Sequence, residues 1–489
     1  MVDAAEMPSE LGPADYLMHR REAHSHARLG SMGVVFLDAA PDWNRFRAHF
    51  EDASRRVPRL RQKVVVPTLP TTAPRWVVDP DFDVNFHVRR MRVPKPGTPR
   101  EVFDLADELL RSPMDTSRPL WIATLVEGLA DGTSALLFRI GHALTDGIGA
   151  LEMFAQIPTL ERDPPAEPPP PVPIPQNLSP DDLMWEGIRR LPRALVEGVR
   201  HALWGALRAV GRLMRNPVSA LVGGVGYARS AARVMSRPVE PSPLLRQRGS
   251  VRRSEALDIR LSTLHSAAKA GGGSLNDAYL AALCGALGRY HRALGAPIDA
   301  LPMAVPVNVR GEADLTAANQ VTSVMLAAPV GEEDPVTRMG KIRVQMTQRR
   351  NEPARDVSHS IARLVSVLPA ALLSAMSSGG FVDVVASNVP SYRGDIYLAG
   401  AKVLRQHGLA SVPGVGMVVV LLSAGEWCTV TVNYDRAAIR EEELFARCLR
   451  EGFDEILTLA GQPAPRRAGS VRPPLTRCPR QDSNLRPQD

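Results

Sequence analysis

At 489 residues, 44% apolar and 23% charged, the chain is long enough for two large domains with substantial cores and a linker. Its 59 basic and 52 acidic residues give +7 and a pI near 9.5, the mild basicity of an Arg-rich surface. Cys284, Cys428, Cys448 and Cys478 show no CxxC or Cys/His spacing of a metal site, nothing argues for a metal, and they are expected to be free thiols in a reducing compartment. The start Met1-Val2-Asp3-Ala4-Ala5-Glu6 lacks an apolar leader, and no run of about 18 apolar residues could span a bilayer. The expectation is a cytoplasmic protein, with any membrane contact peripheral at the inner face.

In chain order, strand-like and helix-like runs alternate in a mixed α/β pattern. Met32 to Leu37 reads as a strand, Trp43 to Arg56 as an amphipathic helix, and Phe86 to Val93 as a strand. A Pro-rich stretch from Pro164 to Pro175 should run extended and mark a domain boundary. From about Arg189 to Arg237 the chain is rich in Arg with almost no acid. At 100° per residue, Arg193, Arg200, Arg208, Arg212 and Arg215 share a face, and Leu195, Val199, Leu203, Val210 and Leu213 share the other. That pattern fits either a surface helix packed on its own protein or a helix lying in an anionic membrane interface. Nucleic acid is not the expected partner, because no interleaved aromatics or nucleic-acid motif accompany the arginines. Strands at Met303 to Val307 and Gly416 to Leu422, the latter buried on both faces, and a helix from Glu441 to Leu459 complete a second domain. The Arg/Pro-rich tail after Gln462 is expected to be disordered.

The densest chemical signal lies at Phe138-Arg139-Ile140-Gly141-His142-Ala143-Leu144-Thr145-Asp146-Gly147, an HxxxDG box. The strand-like run Ser134 to Ile140 delivers His142 to an element boundary. There an imidazole, which titrates near neutrality, can take a proton from a hydroxyl while the nearby Asp146 fixes local geometry. Read alone, the box is equally compatible with a loop histidine beside an unrelated turn aspartate. Asn276 and Asp277 follow Gly271-Gly272-Gly273-Ser274 where a helix, Ala278 to Tyr290, begins, so helix capping accounts for them as well as chemistry does. Arg310 is equally readable as a partner for Asp146 or as a surface arginine.

Pro119-Leu120-Trp121, the HxxxDG box, Leu275-Asn276-Asp277-Ala278, Val305-Pro306-Val307-Asn308-Val309-Arg310, Asn319-Gln320-Val321, Ser387-Asn388-Val389-Pro390 and Asn433-Tyr434-Asp435 occur in that order. This series resembles the bacterial wax ester synthase/diacylglycerol acyltransferase family. That family belongs to a superfamily of CoA-dependent acyltransferases with chloramphenicol acetyltransferase and peptide-synthetase condensation domains. The resemblance covers roughly residues 10 to 460. It implies an α/β (mixed α+β) fold of two chloramphenicol-acetyltransferase-like domains with a tunnel between them. The expected division is 1–160 for the HxxxDG domain, 161–249 for the linker and helical crossover, 250–461 for the second domain and 462–489 for the tail.

The resemblance further implies transfer of a long-chain acyl group from acyl-CoA, a co-substrate rather than a bound cofactor, to diacylglycerol or a long-chain alcohol. His142 would be the general base, Asp146 would hold the histidine loop and Asn276 would help hold substrate or the developing oxyanion. Gly147, Asp277, Arg310 and Asn388 would contact substrate, and Trp121 would pack the core. The family's box usually reads HHxxxDG, and here Gly141 replaces the first histidine. Another hydroxyl acceptor, or a weakened lipid-binding or lipid-droplet surface protein, is the alternative expectation that this departure motivates.

Overall fold

A computed structural model of the chain describes residues 9–22, 30–144, 153–165, 168–191, 204, 238–308, 321–350 and 382–461. Its strands form two six-stranded sheets and a two-stranded ribbon. In the first half these are β1 (Gly30–Leu37), β2 (Gln62–Val65), β3 (Arg75–Val78), β4 (Val88–Arg92), β5 (Trp121–Glu127) and β6 (Ser134–Gly141). Helices α1 (Pro13–Glu22), α2 (Trp43–Arg56), the single turn α3 (Val84–His87), α4 (Pro99–Arg111) and α5 (residues 180–191) accompany them.

The amphipathic stretch from Trp43 to Arg56 is the helix its periodicity predicts. Asp42 starts it by accepting from the Arg45 amide at 2.9 Å, and Phe46, Phe50 and Ala53 form its buried stripe. Phe86 and His87, expected in a strand, instead occupy α3. Asp83 accepts from the Asn85 amide at 2.9 Å and winds the chain before β4 begins. Every residue of β6 is buried. Leu136, Phe138 and Ile140 join the α2 core with Trp121, whereas Ala135 and Leu137 join the α4 core with Val102 and Phe103. Trp121 packs as expected, fully buried, with its indole nitrogen donating to the Leu60 carbonyl at 2.7 Å and its ring stacked 4.5 Å from His87.

The second half contributes β7 (Arg252–Arg260), α6 (Leu261–Ala270), α7 (Leu275–Ala293), β8 (Leu301–Asn308), β9 (Val321–Ala328) and α8 (Pro335–Arg350). They are followed by β10 (Val384–Pro390), β11 (Tyr397–Leu398), β12 (Ala401–Ser411), β13 (Met417–Ala424), β14 (Trp427–Asp435) and α9 (Glu442–Leu457). Sheet two runs β7-β14-β13-β10-β8-β9, with α7 as the buried helix of its largest core. Sheet one runs β11-β12-β1-β6-β5-β4. Residues 397–411 therefore belong to the first sheet, although they fall within the 250–461 stretch: β12 pairs antiparallel with β1 from Gly30↔Ser411 to Phe36↔Arg405. The Pro-rich residues 168–179 carry no regular element. Beyond Arg189, Arg190, Leu191 and Trp204, the Arg-rich stretch lies outside the described residues, as does the tail from residue 462. Among the described residues no helix is long and apolar enough to cross a membrane.

Candidate active site

β6 carries the chain to the histidine. Its last residue, Gly141, pairs with Gly30 of β1 and donates its amide to the Leu120 carbonyl at 2.8 Å, and the Leu144 amide then donates to the Gly141 carbonyl at 3.0 Å. His142 thus stands half-buried on a tight turn whose next residues, Ala143 and Leu144, are anchored in the α2 core. The absence of a side chain at position 141 has a steric counterpart. A Cβ there would lie 3.0 Å from Leu120 Cβ and 3.1 Å from its Cδ1. Leu120, 2% exposed, occupies the room that a larger residue would need. Asp146, Gly147 and Arg310 lie outside the described residues.

Asn276 and Asn388 are brought together from two elements 112 positions apart: Asn388 Nδ2 donates to Asn276 Oδ1 at 3.2 Å. Strand β10 runs parallel to β13 along its full length but meets β8 only at Val384↔Met303 and Val385↔Ala304, so Asn388 lies past the point where β8 and β10 part. Val384 and Ala386 belong to the α7 core and Val389 packs in the cluster that includes Ala410 of β12 and Val412 just beyond it. The alternation puts Asn388 on the α7 face, opposite the face that meets sheet one. His142 follows a strand of sheet one, and the asparagine pair lies on the α7 face of sheet two.

The helix bearing Asn276 begins earlier than expected. Ser274 is the N-cap of α7, with Asp277 as the third helical residue of a capping box: the Ser274 amide donates to Asp277 Oδ2 at 2.8 Å and the Asp277 amide to Ser274 Oγ at 3.2 Å. Arg343 Nε lies 3.7 Å from the same carboxylate. Asp277 is therefore a cap and an ion-pair partner in the fold. The Ser-x-x-Asp spacing that announces it was present in the sequence.

The Asn433-Tyr434-Asp435 motif has structural work. Asn433 Nδ2 donates to Asp107 Oδ1 of α4 at 3.1 Å and to Ser254 Oγ of β7 at 3.0 Å. Asp435 accepts from the amides of Gly249 at 2.7 Å and Ala437 at 2.9 Å. Asp107, which sequence reasoning missed, is buried, and loss of hydration pushes its carboxyl up to about 6 against the opposing pull of the Ser254 hydroxyl and amide. No nearby sequence pattern marks it, because its partners come from 147 and 326 positions away. Of the cysteines, Cys284, Cys428 and Cys448 are free and buried, and burial pushes the Cys284 thiol up to about 12.

Residues 5–279 match the wax ester synthase/diacylglycerol acyltransferase catalytic domain, and residues 317–457 match the C-terminal domain of the same family. The chain belongs to the wax ester synthase/diacylglycerol acyltransferase family. A Mycobacterium tuberculosis protein provisionally named a diacylglycerol O-acyltransferase is 63% identical over 471 residues, which are 95% of this chain and 96% of that protein. A second M. tuberculosis protein with the same provisional name is 28% identical over 455 residues, 88% of this chain and 93% of its own. Among solved structures, the wax ester synthase/diacylglycerol acyltransferase of Marinobacter aquaeolei VT8 superposes with a TM-score of 0.62 at 20% identity, covering 93% of this chain and all of that one (100%). The first condensation domain of the CDA synthetase follows at 0.56 and 16%, covering 94% and 97%. These two likenesses establish the fold: mixed α/β, in two units of the acyltransferase type.

Proposed function

We propose that this family member transfers a long-chain acyl group from acyl-CoA to the hydroxyl of diacylglycerol or of a long-chain alcohol, with His142 as general base. The observation that carries the reading is the setting of His142. It is the polar residue that follows a fully buried strand, on a turn fixed at both ends by backbone hydrogen bonds and core leucines. The extensive identity to proteins named as diacylglycerol O-acyltransferases supports the substrate class.

In the reaction, the His142 imidazole takes the proton of the acceptor hydroxyl as its oxygen bonds to the thioester carbon. The resulting tetrahedral oxyanion collapses, the carbon–sulfur bond breaks, and the imidazolium returns the proton to the CoA thiolate. The products are an ester, triacylglycerol or wax ester, and free CoA. No acyl-enzyme forms and no bound cofactor takes part. Asp146 holds the histidine loop, with Arg310 as its partner. Asn276, with Asn388 beside it, helps hold substrate or the developing oxyanion, and Gly147 leaves space for substrate beside the base. Peripheral contact with a membrane or lipid droplet through residues 189–237 gives access to acceptors that do not dissolve.

The test is thiol release from palmitoyl-CoA with diacylglycerol or hexadecanol supplied separately, in the native protein and in His142→Ala. Release that requires an acceptor and disappears in the variant is the expected result. Acceptor-dependent release that continues at the native rate in His142→Ala overturns the assignment of the base.

A further inference from the structure

Among the described residues, helix α5 is held along one face. Ser179 caps it, with its amide donating to Asp182 Oδ2 at 3.0 Å and the Asp182 amide donating back to Ser179 Oγ at 3.1 Å. Leu183 packs with Val65 and Val77 of the β2–β3 ribbon. Thr71 Oγ1 donates to the Met184 carbonyl at 3.0 Å, and a Cβ on Gly187 would fall 2.4 Å from that oxygen. Arg75 grips Glu186 with both terminal nitrogens, at 3.0 and 3.1 Å.

Outside the contacts of Leu183 and Gly187, Trp185, Ile188 and Leu191 follow one another three residues apart and are 53%, 36% and 41% exposed. Arg189 and Arg190 lie in its last described turn, and from Arg189 to Arg237 the sequence holds ten arginines against a single acid, Glu197. Trp204, within that stretch, is 57% exposed. An indole and two branched aliphatics held in water on a rigid support mark a docking face, and the arginines at the same end select its partner. A second copy of the chain would bring like charges together there. An anionic lipid surface satisfies both features, since an indole is suited to the headgroup boundary and guanidinium groups pair with phosphates.

We propose that the Trp185–Ile188–Leu191 face of α5 is the seat of this protein on an anionic lipid surface. The three side chains enter the boundary between headgroups and acyl chains, while Arg189 and Arg190 lie on the phosphates. This rests on the peripheral contact assigned above and fixes its described anchor. Because α5 joins the ribbon, the seat is rigidly coupled to the first sheet.

The experiment is flotation of the full chain with vesicles of phosphatidylcholine alone and with added phosphatidylglycerol, comparing the native protein with the Trp185→Ser/Ile188→Ser/Leu191→Ser variant. The variant is expected to lose at least tenfold in partitioning to the anionic vesicles while keeping its melting temperature and its acyl transfer to a water-soluble short-chain alcohol. Brominated phosphatidylglycerol should quench the native fluorescence, and the quenched component should vanish in Trp185→Phe. A triple variant that floats as well as the native protein, with quenching indifferent to Trp185→Phe, overturns the seat and leaves a peripheral contact elsewhere. A native protein that floats with neither vesicle overturns the peripheral contact as well. Lipid-free self-association that the triple variant abolishes assigns the face to a second copy and also overturns the proposal.

Discussion

Asp107 on α4 and Ser254 on β7 are bound to each other twice. The Ser254 amide donates to Asp107 Oδ2 at 2.7 Å, and the Ser254 hydroxyl donates to Oδ1 at 2.6 Å. Asn433 adds a third donor, and Arg100 donates to the Ser254 carbonyl at 2.5 Å. This buried cluster ties a helix covering the first sheet to the edge of the second. Asp107→Ala removes the acceptor of the Ser254 amide and hydroxyl and of one Asn433 bond, and is expected to cost on the order of 3 kcal/mol at pH 7, measured as a lowered denaturation midpoint. Combined with Asn433→Ala the two losses should sum to more than the double variant shows, and full additivity would mean that the cluster does not act as a unit.

Acid should destabilise the fold before carboxylates in the ordinary range are protonated. Loss of hydration is the first cause that holds His19, His49, His87 and His407 down to about 4, and the Arg56 charge adds to it at His49. The unfolded chain binds protons at these histidines near 6.5 and the native state only near 4, so the stability they confer is full above pH 6.5 and lost progressively toward pH 4. Each contributes up to on the order of 3 kcal/mol. Asp107 works in the opposite sense: its raised value makes its contribution fall as pH rises from about 4 to about 6. Four histidines outweigh one carboxyl. Melting temperature should therefore drop between pH 7 and pH 5, and His407→Gln should shallow that slope; a flat profile would contradict these environments.

Restoring a histidine at position 141 should not restore a family-typical site by itself. Gly141→Ala already presses a Cβ to within 3.0 Å of Leu120 and is expected to cost about 1 to 3 kcal/mol through overpacking. Gly141→His should cost more, and pairing it with Leu120→Ala should recover part of the loss. Thermal melts of the single and double variants decide it, since equal melting of Gly141→His with and without Leu120→Ala would show that Leu120 does not confine this position.

The Asn276–Asn388 pair makes a prediction of its own. Asn388→Ala leaves the Asn276 carbonyl oxygen without this donor, and the expected stability loss is about 1 kcal/mol. If the pair holds the acyl donor, Asn388→Ala and Asn276→Ala should each raise KM for acyl-CoA several-fold, and the double variant should be little worse than either. Unchanged KM in both would confine the pair to a structural bridge between α7 and β10.

Much of this architecture was legible wherever one element's own periodicity decides its fate. The apolar stripe of Phe46, Phe50 and Ala53 and the unbroken run from Met417 to Leu422 yield a helix and a buried strand as expected. The position of His142 at the end of a buried strand was equally plain. Legibility failed where a partner far along the chain rewrites local preference. Ala401–Ser411 contains Gln406 and His407, polar residues that do not announce a strand, yet both are buried between sheets: Thr429 Oγ1 donates to the Gln406 carbonyl at 2.5 Å, and His407 Nδ1 lies 3.4 Å from Thr431 Oγ1. The meeting of Asn276 with Asn388 was hidden for the same reason, because motif order records sequence and not which face of which sheet a residue occupies.

The insertion of β12 beside β1 sets a schedule for biogenesis. A ribosome that has released the first 160 residues has made β1, β4, β5 and β6, but the edge of β1 that will receive β12 stays open until some 240 further residues have emerged. An unpaired edge exposed for that long invites pairing with other nascent chains. The two halves of this protein are therefore poor candidates for separate expression or for exchange between relatives, since an N-terminal fragment would carry an incomplete sheet and a C-terminal fragment would carry the strand that completes it.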